Sequence, residues 1–201
     1  VVIPPEAPEF AAHITQINGL LSDTAWSVLS DLEGNLWIGQ NGGVSRLKPD
    51  YSAFLALTGV SRRGETPILP DTGTFAVVPP SSTGEGPVAW TWIATGGGLT
   101  VMDAAGNRDN LFIEQGLRGN AVYTLARDAS GDVWVGTSRG ISLVSFNPPR
   151  SMPAATRTTR LRVLGHEATV FSFEGLPRET VYSTRAIRVP NGAEAVELRC
   201  F

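Results

Sequence analysis

The chain is poor in cysteine, histidine and lysine, and each shortage removes a class of function. A single cysteine, Cys200, excludes an intrachain disulfide framework. One cysteine and two scattered histidines, His13 and His166, also exclude the familiar zinc patterns. Neither histidine stands where a Ser–His–Asp triad needs one, because His13 falls in a predicted outer strand and His166 in a predicted hairpin turn. Lys48 is the only lysine among 16 basic residues, and the net charge is −3 with no basic block. That argues against a nucleic acid or an anionic membrane surface as partner. No run of about 18 apolar residues occurs, so no membrane-spanning helix is expected within these residues. The opening "VVIPPEAPEF" has neither a basic n-region nor a cleavage site, and the chain reads as an internal piece of something longer. The glycine-rich "ATGGGLT" lacks the lysine of a phosphate-binding loop. "DASGDVWVGTS" lacks the glycine and terminal glutamate of a calcium loop. No metal and no cofactor are expected.

What is present is a repeat. The 201 residues, 42% apolar and 17% charged, have the composition of an ordinary folded chain. Aligning Gly19-Leu20 with Gly116-Leu117 matches about thirty residues without a gap. Asp31 then meets Asp128, Gly34 meets Gly131, Trp37 meets Trp134, Gly39 meets Gly136 and Gly43 meets Gly140, every pair 97 residues apart. A weaker copy lies between them as "TWIATGGGLTVMD", where Trp92 precedes Gly98 by six residues, as Trp37 precedes Gly43. A mean step of about 48 residues suits a four-stranded propeller blade better than a two-helix repeat.

The local pattern is β throughout. "TAWSVLSD" and "AVYTLARD" alternate with the period of half-buried strands. "LEGN" and "ASGD" supply a glycine where φ must turn positive and an Asn or Asp beside it. Strands are predicted near 25–31, 36–40, 44–47, 121–128, 133–137 and 141–146, with outer strands at 10–16, 52–57 and 110–115. Residues 62–90 interrupt the pattern and read as an insertion at the first hairpin of one blade. Trp37, Trp92 and Trp134 are expected to pack between blades at equivalent places, and Asp31 and Asp128 to serve their own turns.

The string "NGLLSDTAWSVLSDLEGNLWIGQNGGVSRL" resembles the two-component regulator propeller repeat, with residues 115–144 as a second copy and 91–103 as a degenerate third. The likeness spans residues 14–147. The sialidase Asp-box and the virginiamycin lyase propeller fit less well. The first places its Trp five residues after Asp rather than six, and the second follows its Trp with Phe-Thr-Glu. The resemblance implies an all-β fold: a partial β-propeller of about three four-stranded blades over residues 1–147, with repeats near 17–57, 68–115 and 116–147. After "SFNPPRSMPAATRTT", a linker at 148–156, residues 157–201 are similar to the opening strands of an immunoglobulin-like β-sandwich.

In function the resemblance implies the periplasmic sensory module of a bacterial receptor. The remaining blades and the histidine kinase, diguanylate cyclase or similar output module would lie outside this chain. The alternatives are a propeller lyase or hydrolase, or a structural module that mediates dimerisation. A propeller offers variable loops at one end of a rigid scaffold. There the d–a and b–c loops carry Ser22, Asp23, Thr24, Asn41, Asn120, Ser138 and Arg139, which form the candidate binding surface for a small-molecule or oligosaccharide signal. Arg139 suits an anionic ligand, since its fork matches carboxylates. A homodimer is compatible with this organisation; nucleic acid is not an expected partner.

Overall fold

The structure is a computed structural model that describes residues 13–50, 54–59, 67–81, 86–147, 155 and 157–173. Three antiparallel sheets follow one another along the chain. The first runs β1 (Ala25–Ser30), β2 (Leu36–Gln40), β3 (Gly43–Leu47) and β4 (Phe54–Thr58), each strand paired with the next. The second runs β5 (Thr74–Val78), β6 (Thr91–Thr95), β7 (Gly98–Met102) and β8 (Arg108–Leu111) in the same order. The third begins with β9 (Val122–Arg127), β10 (Val133–Thr137) and β11 (Gly140–Ser145). Neighbouring strands joined by short turns can only be antiparallel, so the a–b and c–d hairpins leave at one end and the b–c turns at the other.

Alternation along each strand decides what faces what. Trp37 and Val44 of the first sheet pack on Val77 and Ile93 of the second and on Leu69, which precedes β5. Trp92, Leu99 and Val101 turn to the other face of the second sheet and pack on Val133, Val135 and Val144 of the third. Trp37, Trp92 and Trp134 are each the second residue of a b-strand. Trp37 and Trp92 are buried, at 2% and 0% exposure. Trp134 is only partly buried, because it points away from the second sheet. Among the described residues Phe173 is its aromatic cover, stacked at 5.7 Å and 24°.

Two expectations are corrected. Residues 157–173 do not open a separate sandwich among the described residues. They form β12 (Arg157–Val163) and β13 (His166–Phe173), and β13 pairs with β11 from Ile141↔Phe173 to Ser145↔Thr169. β13 therefore takes the fourth-strand place of the third sheet, with β12 outside it. Its Val170 and Ala168 are apolar on the side facing the second sheet, which is the physical reason for docking there. The β12–β13 turn is Leu164-Gly165 with φ of 48° and 82°, the two left-handed positions of a tight hairpin. The Leu164 N–H donates to Asp109 Oδ2 at 2.6 Å, tying this turn to the second sheet. Residues 174–201 lie outside the described residues.

The second correction concerns the outer strands at 10–16, of which residues 10–12 lie outside the described ones, and at 110–115. Residues 13–15 are not in a strand, and β8 ends at Leu111. Each segment instead turns through a short 3₁₀ helix, Gln16–Asn18 or Ile113–Gln115, closed by Gly19 or Gly116 at positive φ. The Asn18 and Gln115 side chains accept the amides of Thr15 and Phe112, both at 3.0 Å. The strand at 52–57 is found as β4, and its first residues lie outside the described ones. The insertion divides in two. Residues 79–81 and 86–90 belong to the a–b connection of the second sheet, with a 3₁₀ turn at Pro87–Ala89, and residues 67–73 precede β5.

Candidate functional site

The end that carries the b–c turns is built by the same device three times. Each innermost strand slips register by one residue near its start: between Ala25 and Ser27, between Thr74 and Ala76, and between Val122 and Thr124. The extra residue of each β-bulge is aromatic, namely Trp26, Phe75 and Tyr123. A bulge re-aims the side chain it inserts. Here the three rings form one row across the sheets, with centroids 5.8 Å apart for Trp26–Phe75 and 5.3 Å for Phe75–Tyr123. The contacts are tilted and edge-on, the arrangement that ring quadrupoles favour.

The bulge also explains the glycine of the "WIG" and "WVG" strings. A Cβ on Gly39 would lie 2.5 Å from Ser27 Oγ and 2.9 Å from the Thr74 carbonyl, and one on Gly136 would overlap Thr124 Cγ2. In the second sheet the same place is Ala94, opposite Ala76. Glycine stands where the bulged strand presents Ser or Thr, and alanine where it presents Ala.

The b–c turn of the first sheet is strapped to the second. Asn41 forms a bridge with Gly73, and the Gly42 N–H donates to the Thr72 carbonyl at 2.7 Å. Within the first sheet, Gln40 is fully buried and accepts from Leu21 N–H while donating to the Ser22 carbonyl. In the third sheet the Ser138 N–H donates to the Ala121 carbonyl at 2.9 Å.

The opposite end carries the Asp-x-x-Gly turns. In all three the glycine N–H returns to the Asp carbonyl at 3.1 Å: Gly34 to Asp31, Gly106 to Asp103 and Gly131 to Asp128. The Asp103 turn closes a c–d hairpin rather than an a–b one. Burial pushes the Asp31 carboxyl up, but hydrogen bonds from Trp37, Asn35 and Glu33 outweigh it and hold the group below the usual carboxylate range. The Asn107 side chain does the same for Asp103. Between the first two sheets at this end lies a cleft of about 600 Å³, lined by Asp31, Trp37, Arg46, Met102 and Asp103 among others. Arg46 lies over the Trp37 ring at 5.5 Å, a cation–π contact. The carboxylates of this cleft are engaged in their own turns. Among the described residues no group of three or more His, Cys, Asp or Glu side chains could hold a metal ion.

Residues 116–139, which run from the Gly116 cap through the bulge and the Asp128 turn to β10, match the family model of the two component regulator propeller. The match covers one of the three repeats. The extracellular domain of the hybrid two component system BT3049 from B. thetaiotaomicron is similar in fold, with a TM-score of 0.50 and 18% identity over 86% of this chain. That of BT4673 from the same organism has a TM-score of 0.50 and 17% identity over 78% of this chain. The chain spans only 23% and 25% of the length of those two structures. No curated protein matches it at a significant level.

The propeller repeat places the predicted residues in two groups at the b–c end. Ser22, Asp23, Thr24 and Asn41 belong to the first sheet, and Asn120, Ser138 and Arg139 to the third. The aromatic row lies between the two groups. Several of these side chains already serve the repeat itself. Asp23 Oδ1 accepts the Gln16 N–H at 2.8 Å, and Asn120 Oδ1 accepts the Ile113 N–H at 2.7 Å, the same bond at the 97-residue offset. Ser22 Oγ accepts the Thr24 N–H, and Asn41 Oδ1 accepts the indole N–H of Trp26 at 3.1 Å. The groups left to face solvent are the Thr24 and Ser138 hydroxyls, the Asn41 amide N–H₂ and the Arg139 guanidinium, all on exposed residues. Sequence reasoning missed Trp26, Phe75 and Tyr123. The signal was available, because Trp26 and Tyr123 are themselves 97 residues apart.

Proposed function

We propose that this chain belongs to the extracytoplasmic input region of a bacterial signalling receptor, that it recognises a signal at the b–c end of the propeller, and that it performs no chemistry itself. One observation carries the reading. Exposed polar groups and a partly exposed aromatic row gather at one end, on turns of rigid sheets, while the Asp31 and Asp103 carboxylates of the other end are engaged by their own hairpins. Sites on such scaffolds are held in place at little entropic cost. The propeller repeat and the likeness in fold to extracellular domains of two component systems support a receptor context.

The signal is a small molecule or oligosaccharide, and the output module lies outside these residues. A signal must bind two arrangements of the receptor with different affinity. β13 is hydrogen-bonded along β11, so a shift of the third sheet moves the last described strand and whatever follows it. The test is the pair Ser138→Ala and Arg139→Ala in the receptor that carries this chain. Both side chains lack partners among the described residues, so the fold should persist while the response to the signal falls. An unchanged response overturns the proposed face, and catalytic turnover by the purified chain overturns the non-enzymatic reading.

A further inference from the structure

We propose that Trp26, Phe75 and Tyr123 form a stacking subsite for a ligand that offers a flat C–H ring face edged by hydroxyl groups. The inference rests on the reading that the b–c end is the recognition face, and it identifies which part of that face supplies the binding energy.

Three observations carry it. The first is exposure. A row whose task was to pin neighbouring sheets together would be buried, as Trp37 and Trp92 are. Trp26 is instead 53% exposed and Tyr123 51%, with Phe75 half-buried between them. The second is the bulge. Each strand gives up a regular ladder position to insert this one residue, in all three sheets, and bulges of this kind re-aim side chains beside functional sites. The third is the indole. Its N–H is already satisfied by Asn41, which is bridged to Gly73 of the next sheet. The polar edge of Trp26 is thus engaged by the b–c turn, which restrains the ring and lowers its ordering cost on meeting a ligand.

The chemistry of the ligand follows from what borders the row. Aromatic faces attract the weakly positive C–H groups of a ring and contribute apolar contact without demanding a charge. On the first sheet the Thr24 hydroxyl lies two residues from Trp26 and the Asn41 amide N–H₂ beside its indole, while the exposed Asp23 carboxylate is engaged by the Gln16 N–H. The Thr24 hydroxyl and the Asn41 amide match hydroxyls at a ring's rim. A saccharide ring and a hydroxylated aromatic ring share this chemistry.

The test is calorimetric titration of the full 201-residue chain with hexasaccharides of β-1,4-linked glucose, xylose and mannose and of α-1,4-linked glucose, and separately with gallate. At least one probe should bind saturably, the saccharide and gallate arms showing which source supplies the ring. Trp26→Ala and Tyr123→Ala should each weaken that binding at least tenfold. Trp26→Phe, which keeps a ring at the bulge, should stay within about threefold of the parent and guards against a folding artefact. Saturable binding that is unchanged in both alanine variants overturns the stacking row. If such binding is instead lost in the Ser138→Ala, Arg139→Ala pair, the recognition face stands without the row. No binding by any probe overturns the ligand chemistry assigned to the row. An unchanged receptor response in the Ser138→Ala, Arg139→Ala pair is what removes the recognition face itself.

Discussion

Replacing Gly136 by alanine isolates the bulge from everything else in the fold. Gly136 has an ordinary backbone conformation, so alanine brings no conformational strain and should even gain about 0.4–1 kcal/mol by restricting the unfolded chain. Against that, the new methyl group overlaps Thr124 Cγ2, its partner across the bulged pair. Forcing a methyl into an occupied place costs roughly 1–3 kcal/mol. The net loss should be about 1–2 kcal/mol. Thr124→Ala removes the obstructing atom and recreates the Ala94↔Ala76 pairing of the second sheet. In that background Gly136→Ala should cost nothing or stabilise slightly, giving a coupling energy of about 1–3 kcal/mol in a double-mutant cycle. Gly39 supplies the contrast. Its added Cβ meets Ser27 Oγ, which can be deleted, and also the Thr74 carbonyl 2.9 Å away, which is backbone of the next sheet. Ser27→Ala should therefore rescue Gly39→Ala only in part. Urea denaturation followed by circular dichroism and tryptophan fluorescence measures all of these. A Gly136→Ala cost that is the same with and without Thr124 would refute the reasoning, as would a neutral Gly39→Ala.

Further outcomes follow from the tryptophans and the turns. Trp37 donates its indole N–H to Asp31 Oδ2 at 2.8 Å, whereas the Trp92 N–H is buried without a partner. Trp37→Phe should cost about 1.5–3 kcal/mol more than Trp92→Phe by denaturant midpoint, because only the first loses a bond to a charged group. Truncating Trp37 to alanine should cost about 3–5 kcal/mol, and a loss below about 1 kcal/mol would contradict its place in the core. The depressed Asp31 carboxyl contributes stability that is present above its unfolded value near pH 4 and is lost as pH falls through its lower folded value. Asp31→Asn should flatten that acid limb in a pH series of melting temperatures, and a variant with the same acid slope as the parent would argue against the assignment. Arg127 donates to the Pro79 and Trp90 carbonyls at 2.9 and 3.0 Å, binding the third sheet to the a–b connection of the second. Arg127→Met should increase amide exchange at residues 79–81 and 86–90 more than elsewhere.

The a–b hairpins and the b–c turns were legible because their determinants are local: a glycine at positive φ, an Asp beside it, and strict alternation on either side. The place of the second-sheet Trp was legible from its six-residue spacing to Gly98. Other features depended on partners distant in sequence. The 3₁₀ turns after Thr15 and Phe112 do have local caps in Asn18, Gln115 and the following glycines, but further bonds run to Asp23 and Asn120 several residues on. Those two residues looked like loop groups free for a ligand, and pairing them with Gln16 and Ile113 across the 97-residue offset would have raised the structural role first. β13 joins β11 across the segment between residues 145 and 157, so its apolar Val170 and Phe171 read equally well as the start of a separate sandwich. The orphaned Trp92 N–H records the insertion at 79–90, which displaced the Asp that Trp37 retains.

The central claim is that the bulge and b–c turn end is where this propeller meets its signal. Hydrogen exchange of the full chain with and without a saturating bound hexasaccharide tests it most directly. The account predicts slower exchange at the amides flanking Trp26, Phe75 and Tyr123 and in the turns at 41–42 and 138–139, with the Asp31, Asp103 and Asp128 turns unchanged. Protection confined to those Asp turns and the cleft between them, with the bulge end unaltered, would contradict it.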